Sequence, residues 1–137
     1  MRVEKSGCIL INKELKKVGL IYRAKQNDYS FPKGHKEEGE TLIECAIREI
    51  VEETKRVCEI VGNSFVVSEH YFDSKNDEVD MYYFIAIDKG SSDNRSEDTY
   101  DLVWLDFDKV FDTLSYESLK KVWNEVKNQV YNLLNDI

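Results

Sequence analysis

The sequence predicts an α+β fold in which a mixed β-sheet is sandwiched between helices, an α/β/α sandwich. The first observation is the order of segments, which runs strand-rich, helix, strand-rich, helix. The second is a pair of segments with helical spacing of apolar residues, one starting at Leu42 and one following Ser115. A sheet buries its apolar faces against helices, so this order favours a layered architecture. A chain of 137 residues can bury one core, and we expect a single domain over residues 1–137.

Composition and charge exclude several classes of function. The hydrophobic content is 42% and the charged content 34%, as in ordinary globular domains. The net charge of −8 argues against nucleic-acid binding, which requires a basic surface. No apolar run reaches membrane-spanning length, and no signal-peptide pattern is present. Three widely spaced cysteines fit neither a disulfide framework nor a zinc site, so we expect reduced thiols in a cytoplasmic protein. A monomer and a homodimer are both open.

The beginning of the chain predicts a hairpin. Residues Arg2–Ile11 alternate loosely and then become apolar, which favours a central strand. Asn12–Lys17 is a polar turn, and Val18–Tyr22 is a second strand that pairs with the first. Arg23–Asp28 follows as a polar loop, for which solvation and a role in substrate binding are both open.

One helix dominates the middle of the chain. Thr41 can accept a hydrogen bond at its N-terminus, and Glu44 can reach back to complete a capping box. Five apolar residues then recur at helical spacing and predict one buried stripe: Leu42, Ile43, Ala46, Ile47 and Ile50.

The second half predicts further strands and a C-terminal helix. The segments are strand, turn and strand over Val57–Ser68, a continuation over Glu69–Phe72, a turn over Ser74–Asp77, a strand over Val79–Ile87, a polar loop over Asp88–Ser96, a short strand over Asp101–Leu105, a short helix or turn over Phe107–Phe111, and a helix from Ser115. Leu119, Val122, Trp123 and Val126 follow helical spacing, so we expect this last helix to pack on the sheet.

Three glutamates, Glu49, Glu52 and Glu53, lie beside the apolar stripe of the middle helix. They stand at i, i+3 and i+4, and like charges at this spacing disfavour a helix. Next to a buried face the repulsion grows because the effective dielectric constant falls. A divalent cation removes the repulsion, and Mg²⁺ prefers carboxylate oxygens. A solvated glutamate-rich face is the alternative interpretation of these three residues alone.

The spacing around these glutamates resembles a known family motif. Gly34, five residues, Glu40, seven residues and then Arg48-Glu49-Ile50-Val51-Glu52-Glu53 is similar to the Nudix box, G-x5-E-x7-R-E-U-x-E-E-x-G-U, where U is a bulky aliphatic residue. The resemblance implies the Nudix fold over nearly the full chain. It also implies hydrolysis of a nucleoside diphosphate linked to another group.

The end of the box departs from the family pattern. Lys55 stands where the family has glycine, and Arg56 stands where it has an aliphatic residue. Glycine suits a left-handed helix stop, whereas a lysine costs about 1 kcal/mol in that conformation. We therefore expect the helix to run on slightly before the next strand.

The resemblance also implies roles for individual residues. The metal ligands would be Glu49, Glu52, Glu53 and the Gly34 carbonyl, with Mg²⁺ as the cofactor and Mn²⁺ able to substitute. Arg48 would orient a glutamate, and Glu40 would be structural. For the general base, Glu52 and the loop residue Glu97 are both open.

Substrate binding needs cations and flat apolar surfaces. Lys33, just before Gly34, is placed to meet a phosphate as a point charge. Tyr82, Tyr83 and Trp104 are candidates for stacking a base, with aromatic core packing as the alternative for each. Alternation along a strand puts Tyr82 and Tyr83 on opposite faces. We expect His70 to be structural.

The function expected from the resemblance is Mg²⁺-dependent hydrolysis of a small-molecule nucleotide. The segment Phe31-Pro32-Lys33-Gly34-His35 looks most like the diadenosine tetraphosphate hydrolase branch, so a dinucleoside polyphosphate is the first candidate substrate. An ordinary or oxidised nucleoside triphosphate is the second. A catalytically silent module that binds a nucleotide is the alternative from another class, and intact glutamates argue against it.

Overall fold

The structure is a computed structural model that describes residues 1–93 and 99–136. Its strands are β1 Arg2–Asn12, β2 Lys17–Arg23, β3 Asp28–Ser30, β4 Lys33–His35, β5 Arg56–Ile60, β6 Val67–Phe72, β7 Glu78–Ser91 and β8 Asp101–Asp106. Its helices are α1 Leu42–Thr54, a short 3₁₀ turn Phe107–Lys109 that leads into α2 Val110–Thr113, and α3 Glu117–Leu134. None of the helices in these ranges is long and apolar enough to cross a membrane.

The strands of the described residues form one mixed sheet. Its main order is β3-β2-β1-β7-β5, with β4 paired to β1, β6 to β7 and β8 to β2. β1 runs parallel to β7, in register from Arg2 opposite Glu78 to Ile11 opposite Ile87, and the other pairs are antiparallel. The centre of the sheet is therefore built from two segments far apart in the sequence.

The two faces of the sheet are covered by different helices. Alternation along β1 turns Ile9 and Ile11 toward α3, where they join a cluster that contains Trp123. Cys8 and Leu10 point the other way and pack with residues of α1. This arrangement is the α/β/α sandwich that the sequence predicts.

The strands after α1 differ from the prediction in length. β6 starts only at Val67, and both β5 and β6 pair with β7. β7 extends to Ser91, whereas the prediction started a loop at Asp88. Asp88 stays in the sheet because Arg56 of β5 makes an ion pair with it at 2.6 Å. The polar residues that start at Asp88 therefore do not mark the start of a loop.

The expectation that α1 runs on past its box is wrong. α1 ends at Thr54, and Lys55 adopts the left-handed conformation with φ of 57°. Its N–H donates to the Val51 carbonyl at 3.1 Å, and its carbonyl accepts from Ser92 at 2.8 Å. Thr54 Oγ1 accepts from the Arg56 N–H at 3.1 Å, which fixes the turn into β5. These bonds offset a conformational cost of about 1 kcal/mol.

Candidate active site

The site is organised by the glycine loop that leads from β4 into α1. The capping box at the start of α1 is formed as predicted: Glu44 N–H donates to Thr41 Oγ1 at 3.0 Å, and Thr41 N–H donates to Glu44 Oε1 at 2.8 Å. The helix therefore starts at a defined residue, which sets the direction of every side chain on its glutamate face.

Arg48 connects the loop to the helix. Its Nε and Nη2 atoms donate to both oxygens of Glu40, at 2.6 and 3.0 Å, and Nη2 also donates to the His35 carbonyl at 2.9 Å. Nη1 lies 3.1 Å from Glu52 and 3.6 Å from Glu49. The Arg48 guanidinium lowers the pKa of Glu40 to about 2, so Glu40 stays ionised as its partner.

Gly34 is required by the position of Glu49. A Cβ atom built on Gly34 would overlap the Glu49 carboxylate. The Glu49 side chain itself is buried, with 8% of the residue exposed. The Gly34 carbonyl lies 3.6 Å from the Cys45 thiol on the same side of α1. The backbone of β4 and the glutamate face of α1 are thus in direct contact.

Glu53 is a partly buried carboxyl with an unusual pKa. Its Oε1 atom accepts a hydrogen bond from the Lys33 backbone N–H at 2.9 Å. Burial, together with the charge of Glu49, raises the pKa of Glu53 to about 8, against the effect of the Lys33 hydrogen bond. The protein alone therefore does not stabilise the charge of Glu53, whereas a nearby cation would.

These residues fit a divalent metal ion by their chemistry. Within residues 1–93 and 99–136, no group of three or more His, Cys, Asp or Glu side chains is already arranged as a metal site. Nevertheless, the donors are all oxygen atoms, the type that Mg²⁺ and Mn²⁺ prefer. The raised pKa of Glu53 indicates a place that favours positive charge.

A cavity of about 840 Å³ lies between β6 and α3. Arg23, Lys33, Glu69, Tyr83 and Tyr116 are among the residues that line it. Lys33 belongs to both places, because its backbone donates to Glu53 while its side chain faces the cavity. Burial, helped by the charges of Lys5 and Arg23, lowers the pKa of Lys33.

The aromatic candidates are separated. Tyr83 is fully buried on the α3 face, lines the cavity and contacts Phe31 edge-on at 5.8 Å. Tyr82 faces the α1 side and contacts Phe65 at 4.9 Å. Trp104, on β8, also packs on the α1 side. The two tyrosines therefore lie on opposite faces, as alternation requires.

Two further candidates lie elsewhere. His70 is exposed on β6 and lies 3.0 Å from Glu78. Glu97 falls outside the described residues. The chain just after it, however, is attached to the end of α1: Thr99 Oγ1 donates to the Glu52 carbonyl at 3.1 Å, and Tyr100 N–H donates to the Glu53 carbonyl at 2.8 Å.

Sequence reasoning missed the polar residues on the cavity wall, Ser30 and Glu69. One signal was present in Val67-Ser68-Glu69-His70-Tyr71, where alternation puts Glu69 on the same inward face as Val67 and Tyr71. Arg23 was placed in a polar loop, but it ends β2 and makes a bidentate ion pair with the buried Asp28 at 2.8 and 2.6 Å.

The fold and this site define an α/β/α protein in which Lys33 connects a cluster of oxygen donors to a large cavity. Comparison with known families identifies the class: the NUDIX domain model matches residues 1–130. The chain therefore belongs to the NUDIX domain family.

Among curated proteins, the chain is 31% identical over 105 residues to an 8-oxo-(d)GTP phosphatase from Mycolicibacterium smegmatis. The match covers 77% of this chain but 32% of that protein, so the chain spans about a third of its relative's length.

Solved structures share the fold at low sequence identity. A NUDIX hydrolase from Nitrosomonas europaea superposes with a TM-score of 0.76 at 17% identity, over 94% of this chain and 90% of that one. The Ap4A hydrolase of C. elegans gives 0.73 at 19% identity, over 95% and 99%. The MutT protein of Bacillus halodurans gives 0.71 at 22% identity, over 91% and 82%. At these identities the likeness concerns the fold alone.

Proposed function

We propose that this protein is a nucleotide pyrophosphohydrolase that depends on a divalent metal ion and cleaves a nucleoside diphosphate linked to another group. The observation that carries the proposal is the grouping of Glu49, Glu52 and Glu53 on one turn of α1, where Glu49 contacts Gly34 and Glu53 accepts a hydrogen bond from Lys33, a residue that lines the cavity. Phosphate binding and metal binding would therefore take place at adjoining points.

The metal would be held by Glu49, Glu52, Glu53 and the Gly34 carbonyl. Mg²⁺ is the proposed ion and Mn²⁺ the proposed substitute, because both take oxygen ligands. When bound, the ion supplies neutralisation of phosphate charge and Lewis-acid activation. Arg48 holds Glu52 through Nη1 and keeps the glycine loop in place through Glu40.

The chain's own residues perform the remaining tasks. The Lys33 ammonium group binds a phosphate oxygen of the substrate at the edge of the cavity. A carboxylate takes a proton from the attacking water, and Glu52 and Glu97 are the two candidates. The bonds of Thr99 and Tyr100 to the end of α1 support Glu97, since they fix the following chain close to Glu52 and Glu53.

Two substrate classes follow from different observations. The Phe31-Pro32-Lys33-Gly34-His35 segment favours a dinucleoside polyphosphate such as diadenosine tetraphosphate. The Mycolicibacterium smegmatis relative, whose name specifies 8-oxo-(d)GTP, favours an oxidised nucleoside triphosphate. A silent nucleotide-binding module would leave the glutamate cluster without a role.

A metal-dependent screen tests the proposal. The purified chain is incubated with diadenosine tetraphosphate, 8-oxo-dGTP and ordinary nucleoside triphosphates, with Mg²⁺, with Mn²⁺ and with chelator. We expect hydrolysis only with metal, and product identification by mass spectrometry locates the cleaved bond. Tight nucleotide binding without any turnover across the panel would instead establish the binding module.

A further inference from the structure

The cavity between β6 and α3 contains an unusual set of polar atoms. Ser30 Oγ, Glu69 Oε1 and Tyr83 Oη are buried, line this cavity and have no hydrogen-bond partner within the described part of the chain. Ser30 is 2% exposed and Tyr83 is fully buried. Native proteins pair nearly all buried polar groups, because an unpaired one is costly. Three unpaired atoms in one cavity therefore indicate a ligand that supplies their partners.

The three side chains are brought together by the sheet. Ser30 comes from β3, Glu69 from β6 and Tyr83 from β7. Tyr83 stands opposite Val67 in the β6–β7 pair, and Glu69, two residues further along β6, points to the same face. The edge-on contact between the Tyr83 and Phe31 rings holds the phenol in place. The polar set is thus rigid and built on strands.

The chemistry of Glu69 restricts what the ligand can present. Burial raises the pKa of Glu69, the charge of Lys33 opposes that shift, and the charge of Glu125 adds to it. An ionised carboxylate only accepts hydrogen bonds, whereas the Ser30 and Tyr83 hydroxyls can donate or accept. A ligand group that matches these three side chains presents adjacent N–H donors to Glu69 together with a carbonyl oxygen for the hydroxyls.

Guanine carries that pattern on one edge, with N1–H and N2–H₂ donors beside the O6 acceptor. Adenine instead presents the acceptor N1 beside the N6–H₂ donor, which leaves an ionised carboxylate facing a lone pair. A site that hydrogen-bonds its ligand in this way rejects a mismatched analogue strongly, because its own buried groups are then left unpaired.

We propose that Ser30, Glu69 and Tyr83 determine specificity in this cavity and select a guanine-type base, unmodified or oxidised, over adenine. The inference rests on the proposed function, since Lys33 links the cavity to the carboxylates of α1. The substrate is then a guanine nucleoside triphosphate, oxidised or not, or a dinucleoside polyphosphate with a guanine at this end.

Binding without metal tests the inference separately from catalysis. The full chain is titrated by calorimetry with GMP, 8-oxo-GMP and AMP in the presence of chelator. We expect the wild type to bind at least one guanine nucleotide about tenfold or more tightly than AMP. Glu69→Gln should reduce that ratio to about one, because an amide offers a donor beside an acceptor and suits adenine.

A matched variant controls for the loss of charge. Glu125→Gln removes a carboxylate from the exposed side of α3 at the margin of the same cavity, and it should keep the guanine preference. A Glu69→Gln variant that keeps the wild-type ratio would overturn the inference, and so would a wild type that binds AMP as tightly as both guanine nucleotides.

Tyr83→Phe provides a second, independent test. Because the Tyr83 hydroxyl has no partner within the described residues, its removal should leave the melting temperature equal or higher. Guanine nucleotide binding should weaken about fivefold. A lower melting temperature with unchanged binding would show that the hydroxyl is structural and would contradict the inference.

Different outcomes would refute the proposed hydrolase function and the proposed guanine selectivity. A wild type that prefers guanine in binding but hydrolyses nothing in the metal-dependent screen would refute the proposed function and support this inference. A wild type that hydrolyses nucleotides with no guanine preference in binding or turnover would refute this inference alone.

Discussion

At the scale of single residues, the site depends on carboxylates with different environments. Glu40 is bonded to Arg48 and has a pKa of about 2, whereas Glu53 is buried beside Glu49 and has a pKa of about 8. The same residue type therefore serves as a permanent anion at Glu40 and as a carboxyl that favours a nearby cation at Glu53.

Glu53→Gln tests the metal assignment. The amide keeps an oxygen for the Lys33 N–H, and a carboxyl with a pKa of about 8 is largely uncharged at pH 7 without metal, so the fold and the melting temperature without metal should be retained. Activity at fixed Mg²⁺ should fall by about 10²-fold or more, because a ligand charge is lost. Steady-state kinetics and circular dichroism measure the two effects.

Glu38→Gln, on the exposed part of the loop, is the control for this prediction. Normal turnover of Glu53→Gln would refute the metal assignment.

The general base is identified by comparing Glu52→Gln with Glu97→Gln. The variant that lacks the base should lose the acidic limb of its pH–rate profile, because no carboxylate remains to be deprotonated as the pH rises. The other variant should keep that limb. If both profiles retain an acidic limb, neither residue is the base.

Prediction from the sequence succeeds at this scale for helix structure set by residues close along the chain, whereas the metal-binding role of the glutamates stays a prediction. Glu49, Glu52 and Glu53 form a local pattern on one helix, and the capping box of Thr41 and Glu44 is equally local. Ser30 and Glu69 instead come from strands that meet only in the folded sheet. Nothing in their neighbouring residues indicates that a cavity joins them.

At the scale of elements, the end of α1 departs most clearly from expectation. The sequence predicts that the helix avoids a left-handed Lys55, but Lys55 adopts that conformation. Hydrogen bonds from Arg56 to Thr54 and from Ser92 to Lys55 fix the turn, and Ser92 follows β7, 37 residues after Lys55. A distant strand therefore decided where the helix ends.

Lys55→Gly should stabilise the protein by about 1 kcal/mol, because glycine adopts the left-handed conformation without strain. Urea unfolding followed by circular dichroism measures the change. Lys55→Ala is the matched control: it removes the same exposed side chain but keeps Cβ, so it should give no such gain. Equal stability of the glycine and alanine variants would mean that Lys55 is not strained.

At the scale of the whole molecule, a polar cluster ties the sheet to α3. The Asp28 side chain accepts hydrogen bonds from Arg23 and from the Tyr116 hydroxyl, and Tyr29 N–H donates to Ser115 Oγ at 2.8 Å. Asp28 is 2% exposed. Arg23 and Tyr116 also line the cavity, and the cluster holds the start of α3 against β3.

Asp28→Asn should destabilise the protein by about 3 kcal/mol at pH 7, because it leaves the Arg23 charge without its anion. Hydrogen bonds from Arg23, followed by those from Tyr116, lower the pKa of Asp28 below its ordinary value of 3.8. The stabilisation is thus complete above that ordinary value and is lost as the pH falls through the lowered pKa.

Urea unfolding at pH 7 and near pH 2 measures this dependence, and the difference between wild type and variant should shrink at the lower pH. Asp106→Asn, which removes the exposed partner of Lys17, should have a much smaller effect. A constant difference between the two pH values would contradict the assigned ion pair.

The parallel pairing of β1 with β7 has a consequence for how the protein is made. The strand that carries Cys8 to Ile11 gains its central neighbour only when residues 84 to 87 are available, after more than half of the chain has left the ribosome. Because such distant pairing carries a large loop-closure cost, it should delay folding and make it slow. Until then, the acidic segment from Gly34 to Glu53 is part of a nascent chain whose sheet lacks its centre. A complete motif on a ribosome-bound fragment is therefore not yet a binding site.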